Sequence, residues 1–265
     1  MQKENTNREP VIPVQPKNPW NPQAAERLLA VAQTYLENAE KLIYSYGSRT
    51  FLSGFDLYDP AYGGRGNIDC STFVLLVLVG IPYENSPYAT GSRQNLNDLR
   101  ADWADKALAD FSDLPERFID IAERIGRPYL AGPKGLDLEK AEAMGISVKT
   151  LGEEIRKTGV GRRSANITRY FLDRGECFSD PQEIRPGDIV FYRNPGFFRE
   201  GERRFKAEEQ ITHVGIVWTD TFLMVNSAGY VKKERAEEEG LPAVALAPVY
   251  GKRMPAFFAR PAYKQ

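Results

Sequence analysis

The stretch Phe73-Val74-Leu75-Leu76-Val77-Leu78-Val79 constrains this chain more than any other segment, because no position in it is polar. Ahead of it stands Asp69, a side chain suited to capping a helix N-terminus, and behind it come Gly80 and Pro82, which end helices. The segment therefore reads as a short helix with Cys70 in its first turn. A helix that is apolar on every side has no face to give to water, so it belongs inside the core with other elements packed around it. Its N-terminus, carrying Cys70, is expected to emerge at a surface or cleft. The apolar run ends at Ile81, far short of the roughly 18 residues that span a bilayer, so no membrane span is expected.

The rest of the chain can supply such surroundings. Of its 265 residues 42% are hydrophobic, enough for one elaborated domain, or one domain with a small subdomain. Lys and Arg number 35 against 36 Asp and Glu, a net charge of −1, which argues against nucleic acid or an anionic membrane as the main partner. The polar, Pro-rich N-terminus has no apolar segment of the kind a secretory signal needs. That predicts a cytoplasmic chain, or an exported one whose signal has been removed. Two cysteines do not make a disulfide scaffold, and the single histidine, His213, excludes a His-rich hydrolytic metal centre.

Periodicity and turn residues divide the chain further. Residues 1–21 read as an extended leader, and residues 22–265 as the folded domain. Leu28, Ala32, Tyr35, Leu36, Ala39, Leu42, Ile43 and Tyr46 recur at helical spacing and predict an amphipathic helix from Pro22 to Tyr46, ended by Gly47. Residues 50–67 read as an ordered loop. Residues 86–160 read as a polar, helical block, with Leu99, Trp103, Leu108, Phe111, Phe118, Ile121 and Ile125 as its packing face and Gly and Pro breakers in its middle. A helix from Ala165 to Asp173 follows. Short β-branched or aromatic strands come next, at Ile189–Tyr192, His213–Trp218, Phe222–Asn226 and Ala256–Ala259. Helices first and an antiparallel sheet second make an α+β chain.

Three residues in this layout could perform nucleophilic chemistry. A thiol at a helix N-terminus is favoured as its thiolate by the dipole and the free N–H groups, which also suit an oxyanion, and Cys70 holds that position. His213 opens a strand, where a base would be rigidly held. A hairpin turning at Thr219–Thr221 sets Asn226 opposite His213, close enough to orient the imidazole. Asp188 reads as a turn-stabilising carboxylate, and Cys177 as structural.

Asp69-Cys70-Ser71 before the apolar helix, Arg185-Pro186-Gly187-Asp188-Ile189-Val190-Phe191, and His213-Val214-Gly215-Ile216-Val217 together resemble the NlpC/p60 family of cysteine peptidases. The resemblance covers residues 24–85 and 162–262. It implies a circularly permuted papain-like fold with an inserted helical subdomain at about 86–160. It also implies a cysteine endopeptidase with Cys70 as nucleophile, His213 as base and Asn226 as its orienting partner. Family members cut peptide stems of bacterial peptidoglycan, most often between γ-D-glutamyl and a diamino acid. Tyr58 or Tyr62, with Asp69 and Ser71, would then line the substrate end of the cleft. No metal or cofactor is called for. Arg65, Arg93, Arg162 and Arg163 are candidates for meeting acidic peptides. The same architecture also serves N-acetylmuramoyl amidases and lipid acyltransferases or deacylases, and a non-catalytic peptide-binding module is the reading from another class.

Overall fold

The computed structural model describes residues 11–44, 66–91, 108, 122–123, 125–132, 135–147, 150–151, 154, 163–193, 210–227 and 242–264. Residues 11–20 carry no helix or strand, bend at 14–15 and 17–18, and are tied down. Pro13 and Val14 accept backbone hydrogen bonds from Ser179 and Asp180, and the Trp20 indole donates to the Pro186 carbonyl at 3.1 Å. Helix α1 (Pro22–Glu37) then starts where Pro22 fits the first turn and the Asn21 side chain accepts from the Ala24 amide at 3.0 Å.

This helix ends earlier than its periodicity predicts. The Asn38 carboxamide donates to the Thr34 carbonyl at 2.8 Å, competing with continuation, and a 3₁₀ turn at Ala39–Lys41 leads into strand β1 (Leu42–Tyr44). Leu42 and Ile43 are buried in the strand, not on a helix face. β1 pairs in parallel with β2 (Gly66–Ile68), a pairing absent from the expected all-antiparallel picture. Tyr46 and Gly47 lie outside the described residues.

Helix α2 (Cys70–Val79) matches its sequence signals. Asp69 caps it by accepting from the Thr72 amide at 2.7 Å, and Gly80 closes it in the left-handed region at φ 84°. All ten of its residues are buried. The wall around it is built by α1, by strands of the main sheet and by a later helix. Apolar burial is worth about 1.5–3 kcal/mol per large side chain, so this helix anchors the core.

The block 86–160 is not simply helical. Its described parts include the short helices α3 (Pro87–Thr90) and α4 (Leu138–Ala143), a 3₁₀ turn at Pro128–Leu130, helical residues at 122–123, 150–151 and 154, and a two-stranded antiparallel ladder of β3 (Ala131–Gly132) and β4 (Gly135–Leu136). Of the Gly and Pro breakers that part the helical pattern, Gly132 and Gly135 pair with each other in this ladder. Ala122, Leu130, Leu136, Ala141 and Leu151 form a small cluster of their own, with Ile125 against it. Leu108 instead packs on the main core. Leu99, Trp103, Phe111, Phe118 and Ile121 lie outside the described residues.

Helix α5 (Arg163–Asp173) begins two residues before its expected start and is followed by Gly175 at φ 66°. The main sheet then assembles from β5 (Cys177–Phe178), β6 (Ile189–Arg193), β7 (Ile211–Thr219), β8 (Leu223–Ser227), β9 (Val244–Pro248) and β10 (Pro255–Ala259). Their order is β5-β10-β6-β7-β8-β9, antiparallel throughout. β5 and β9 were not anticipated. Each is an edge strand, one only two residues long and the other, Val-Ala-Leu-Ala-Pro, with no polar residue to give the alternation that marks a strand.

The two sheet faces have separate cores. Val214, Ile216, Val225, Phe191 and Phe257 join α2 on one face. Val190, Tyr192, Val217, Met224 and Phe258 cluster on the other, under Val249 and Tyr250 from the connection between β9 and β10. The molecule is thus α+β with an antiparallel sheet. Among the described residues no helix is long and apolar enough to cross a membrane.

Candidate active site

His213 and Asn226 meet at one end of the sheet, on adjacent strands. The register differs from direct opposition. Val225 faces Ile216 and Met224 faces Val217, so Asn226 falls opposite Gly215 and diagonal to His213. An irregularity between Val217 and Thr219, and Phe222 at φ 59° in the turn, move the hairpin's centre along the chain. The displacement is an even number of residues, so both side chains keep the same face, where a one-residue slip would have separated them.

The bond between them defines the imidazole's protonation. Asn226 Nδ2 donates to the Ala245 carbonyl at 3.3 Å, which turns Oδ1 toward the ring. His213 Nε2 lies 3.0 Å from that oxygen, and an oxygen acceptor requires Nε2 to carry the proton. Nδ1 is then the nitrogen with the free lone pair. Tyr192, the direct cross-strand partner of His213, packs its ring 5.7 Å from the imidazole and further restricts it.

Cys70 comes to the same stretch of β7 with α2, which packs on the face of Phe191 and Val214, whereas His213, paired with Tyr192, shares the face of Val217 and Met224. Backbone N–H groups of Val214, Ser71 and Cys70 itself act on its sulfur and favour the thiolate. Two stronger effects oppose them. Burial and the neighbouring Asp69 carboxylate push the thiol up to about 12. The thiolate that the helix end favours is therefore opposed, since Cys70 is 6% exposed and its cap supplies a negative charge beside the sulfur. Burial also holds His213 down, to about 4, with Arg253 acting in the same direction and Asn226 and Asp69 against it. At neutral pH the pair is a neutral thiol and a neutral imidazole. The imidazole's hydrogen bond is to Asn226, and none joins it to the thiol.

Asp69 and Ser71 sit beside Cys70 and are both buried. The Ser71 hydroxyl donates to Asp69 Oδ1 at 2.7 Å, so one carboxylate oxygen serves both that hydroxyl and the Thr72 amide. Tyr58 and Tyr62 lie outside the described residues, as do Arg65, Arg93 and Arg162, and the same holds for the side chain of Arg163. Among the described residues no group of His, Cys, Asp and Glu is arranged to hold a metal ion.

Asp188 braces the turn into β6, as its place after Pro186-Gly187 predicts, by accepting from the Arg185 amide at 2.8 Å. The structure adds a partner not foreseen. Arg260 donates to both carboxylate oxygens at 2.9 Å in a pair that is almost wholly buried. Cys177 is buried on β5, and both cysteines are free. Two further residues at the site were given no role by the sequence. Arg253 lies in no motif. Gly215 stands within the His213–Val217 motif as a glycine inside a strand, which marks a close approach by another group.

No family model matches this chain, and neither the curated proteins nor the solved structures yield a match.

Proposed function

We propose that this protein is a cysteine amidohydrolase with the circularly permuted papain-like arrangement of the NlpC/p60 peptidases. Its substrate would be a peptide of bacterial peptidoglycan, cut between γ-D-glutamyl and a diamino acid. The observation that carries the reading is the His213–Asn226 bond. It leaves Nδ1 of the imidazole unprotonated on the strand residue next to Val214, whose amide acts on the Cys70 sulfur.

Chemistry starts from the neutral pair. Nδ1 of His213 takes the Cys70 proton as Sγ attacks the scissile carbonyl, and the resulting imidazolium donates its Nε2 proton's hydrogen bond to Asn226 throughout. Backbone N–H groups at the start of α2 stabilise the oxyanion. The imidazolium gives its Nδ1 proton to the departing amine, leaving a thioester on Cys70. Water, deprotonated by Nδ1, then attacks that thioester and releases the acid. Asp69 favours the imidazolium electrostatically, which offsets part of the cost of charging a buried ring. Bringing Nδ1 onto Sγ is the step that substrate binding must complete, as catalytic contacts commonly tighten only in the substrate complex.

The test is incubation of the protein and its Cys70→Ala variant with L-Ala-γ-D-Glu-diaminopimelate and with intact peptidoglycan, with products read by mass spectrometry. Release of diaminopimelate by the unaltered protein alone supports the reading. Cleavage at the N-acetylmuramoyl amide instead moves the protein to the amidase reading. Absence of cleavage in both substrates overturns the peptidase assignment.

A further inference from the structure

Asn226 makes a diagonal contact across the strand pair. Diagonal neighbours on antiparallel strands stand about 7–8 Å apart, a distance that an aromatic ring on one strand can bridge to a side chain on the other. Asn226 reaches the imidazole at 3.0 Å. The residue facing it across the ladder is Gly215, two positions beyond His213 on the same face. A Cβ built at Gly215 would stand 3.2 Å from Asn226 Cβ, 3.0 Å from Met224 Sδ and 3.3 Å from the Val225 carbonyl. The space left by the absent side chain is therefore already taken by the two side chains of β8.

These three contacts differ in how far they can yield. Met224 Sδ is the end of a flexible side chain, although the Tyr192 hydroxyl lies 3.2 Å from it and ties it to this face. The Val225 carbonyl belongs to the ladder, and Asn226 Cβ is held by its own backbone and by the carboxamide's bond to Ala245. Gly215 has no need of glycine for its own conformation, since its φ is not positive. Its lack of a side chain is explained by what approaches it.

We propose that Gly215 is a positioning residue of the site: by presenting no side chain opposite Asn226, it lets the carboxamide lean along β7 to Nε2 of His213 and so selects the imidazole tautomer with Nδ1 free. Its catalytic consequence rests on the reading of His213 as a base. The tautomer itself does not, and can be measured whether or not the protein hydrolyses anything.

His213 is the single histidine in the chain, so a two-bond ¹H–¹⁵N correlation spectrum reports this imidazole without assignment. At pH 7 the unaltered protein is expected to show one protonated nitrogen, Nε2, and one unprotonated, Nδ1. Gly215→Ala should lose that bias and show averaged tautomers, with hydrolysis of the tripeptide slowed about tenfold, the worth of one hydrogen bond at the upper end of its usual range. Gly215→Ala combined with Met224→Ala removes the tightest contact and leaves the one with Asn226. This double variant keeps the test alive if the single one does not fold, and it should still lack the tautomer bias. In an Asn226→Ala background, adding Gly215→Ala should change the rate little, because the residue it acts through is gone. The proposal is overturned if Gly215→Ala keeps the Nε2–H tautomer. It is equally overturned if Met224→Ala restores both tautomer and rate, or if Gly215→Ala costs as much without Asn226 as with it. If the unaltered protein cleaves neither substrate, the peptidase reading fails while the spectrum still decides the role of Gly215.

Discussion

Replacing His213 by Gln should change how stability depends on pH in a way that isolates one buried imidazole. His213 is 7% exposed and its pKa falls from the ordinary 6.5 to about 4, chiefly through burial. At about 1.4 kcal/mol for each tenfold change in proton affinity, that depression is worth about 3 kcal/mol. The sign follows from which state binds the proton. Between pH 4 and 6.5 the unfolded chain is protonated at this residue and the folded one is not. The stabilisation is therefore complete above 6.5 and is lost as pH falls toward 4. Asp188 acts oppositely, because burial raises its carboxyl from 3.8 to about 6 despite Arg260 and Arg185. Its contribution is present below 3.8 and is lost as pH rises through 6. The two slopes oppose each other across the same window, so a profile of the unaltered protein alone would hide both. The difference between the unaltered protein and His213→Gln removes Asp188 and every other carboxylate common to the two. Urea unfolding at half-unit steps from pH 4 to 7.5 should show this difference growing by about 3 kcal/mol from acid to neutral. A difference that stays constant over that range would refute a buried neutral imidazole, and with it the protonation state on which the proposed base depends.

Other perturbations test neighbouring parts of the argument. Arg260→Met leaves Asp188 buried without its partner and should cost about 3–5 kcal/mol by urea unfolding, with much of the loss recovered in Asp188→Leu/Arg260→Met. Arg253→Ala removes the cation that works against imidazolium formation, so the His213 titration followed by NMR should move upward, and movement downward or none would refute its influence. Asp69→Asn keeps a capping oxygen but removes the charge beside the sulfur. In a Cys177→Ala background, alkylation of Cys70 by iodoacetamide should then begin at lower pH than with Asp69 in place.

The parts of the fold that could be read in advance are those set by neighbours in sequence. Asp69, Gly80 and Pro82 bracket α2 because capping and left-handed closure are local acts, and the structure shows the cap bond and the positive φ. Asp188 was legible as a turn residue for the same reason. The end of α1 was not, because Leu42 and Ile43 satisfy a helical pattern as well as a strand. The choice was made by Asn38 and by a partner strand more than twenty residues on. Edge strands β5 and β9 carry too little alternation to announce themselves. Within the site, Asn226 could be placed on the correct face but not at the correct register, since the turn's irregularity lies in backbone angles at Phe222 that the side-chain pattern does not encode.

The residue types and their order thus determined on their own that a cysteine opens a buried helix, that the sole histidine lies on a strand, and that a polar side chain follows it at hairpin distance. Tertiary structure alone decided the protonation of that set. Helix geometry by itself favours a thiolate, whereas burial and the Asp69 carboxylate reverse the balance at Cys70, and burial likewise keeps His213 neutral. Desolvation depends on what packs around a group from distant parts of the chain, and so does the close approach of Met224 and Asn226 to Gly215.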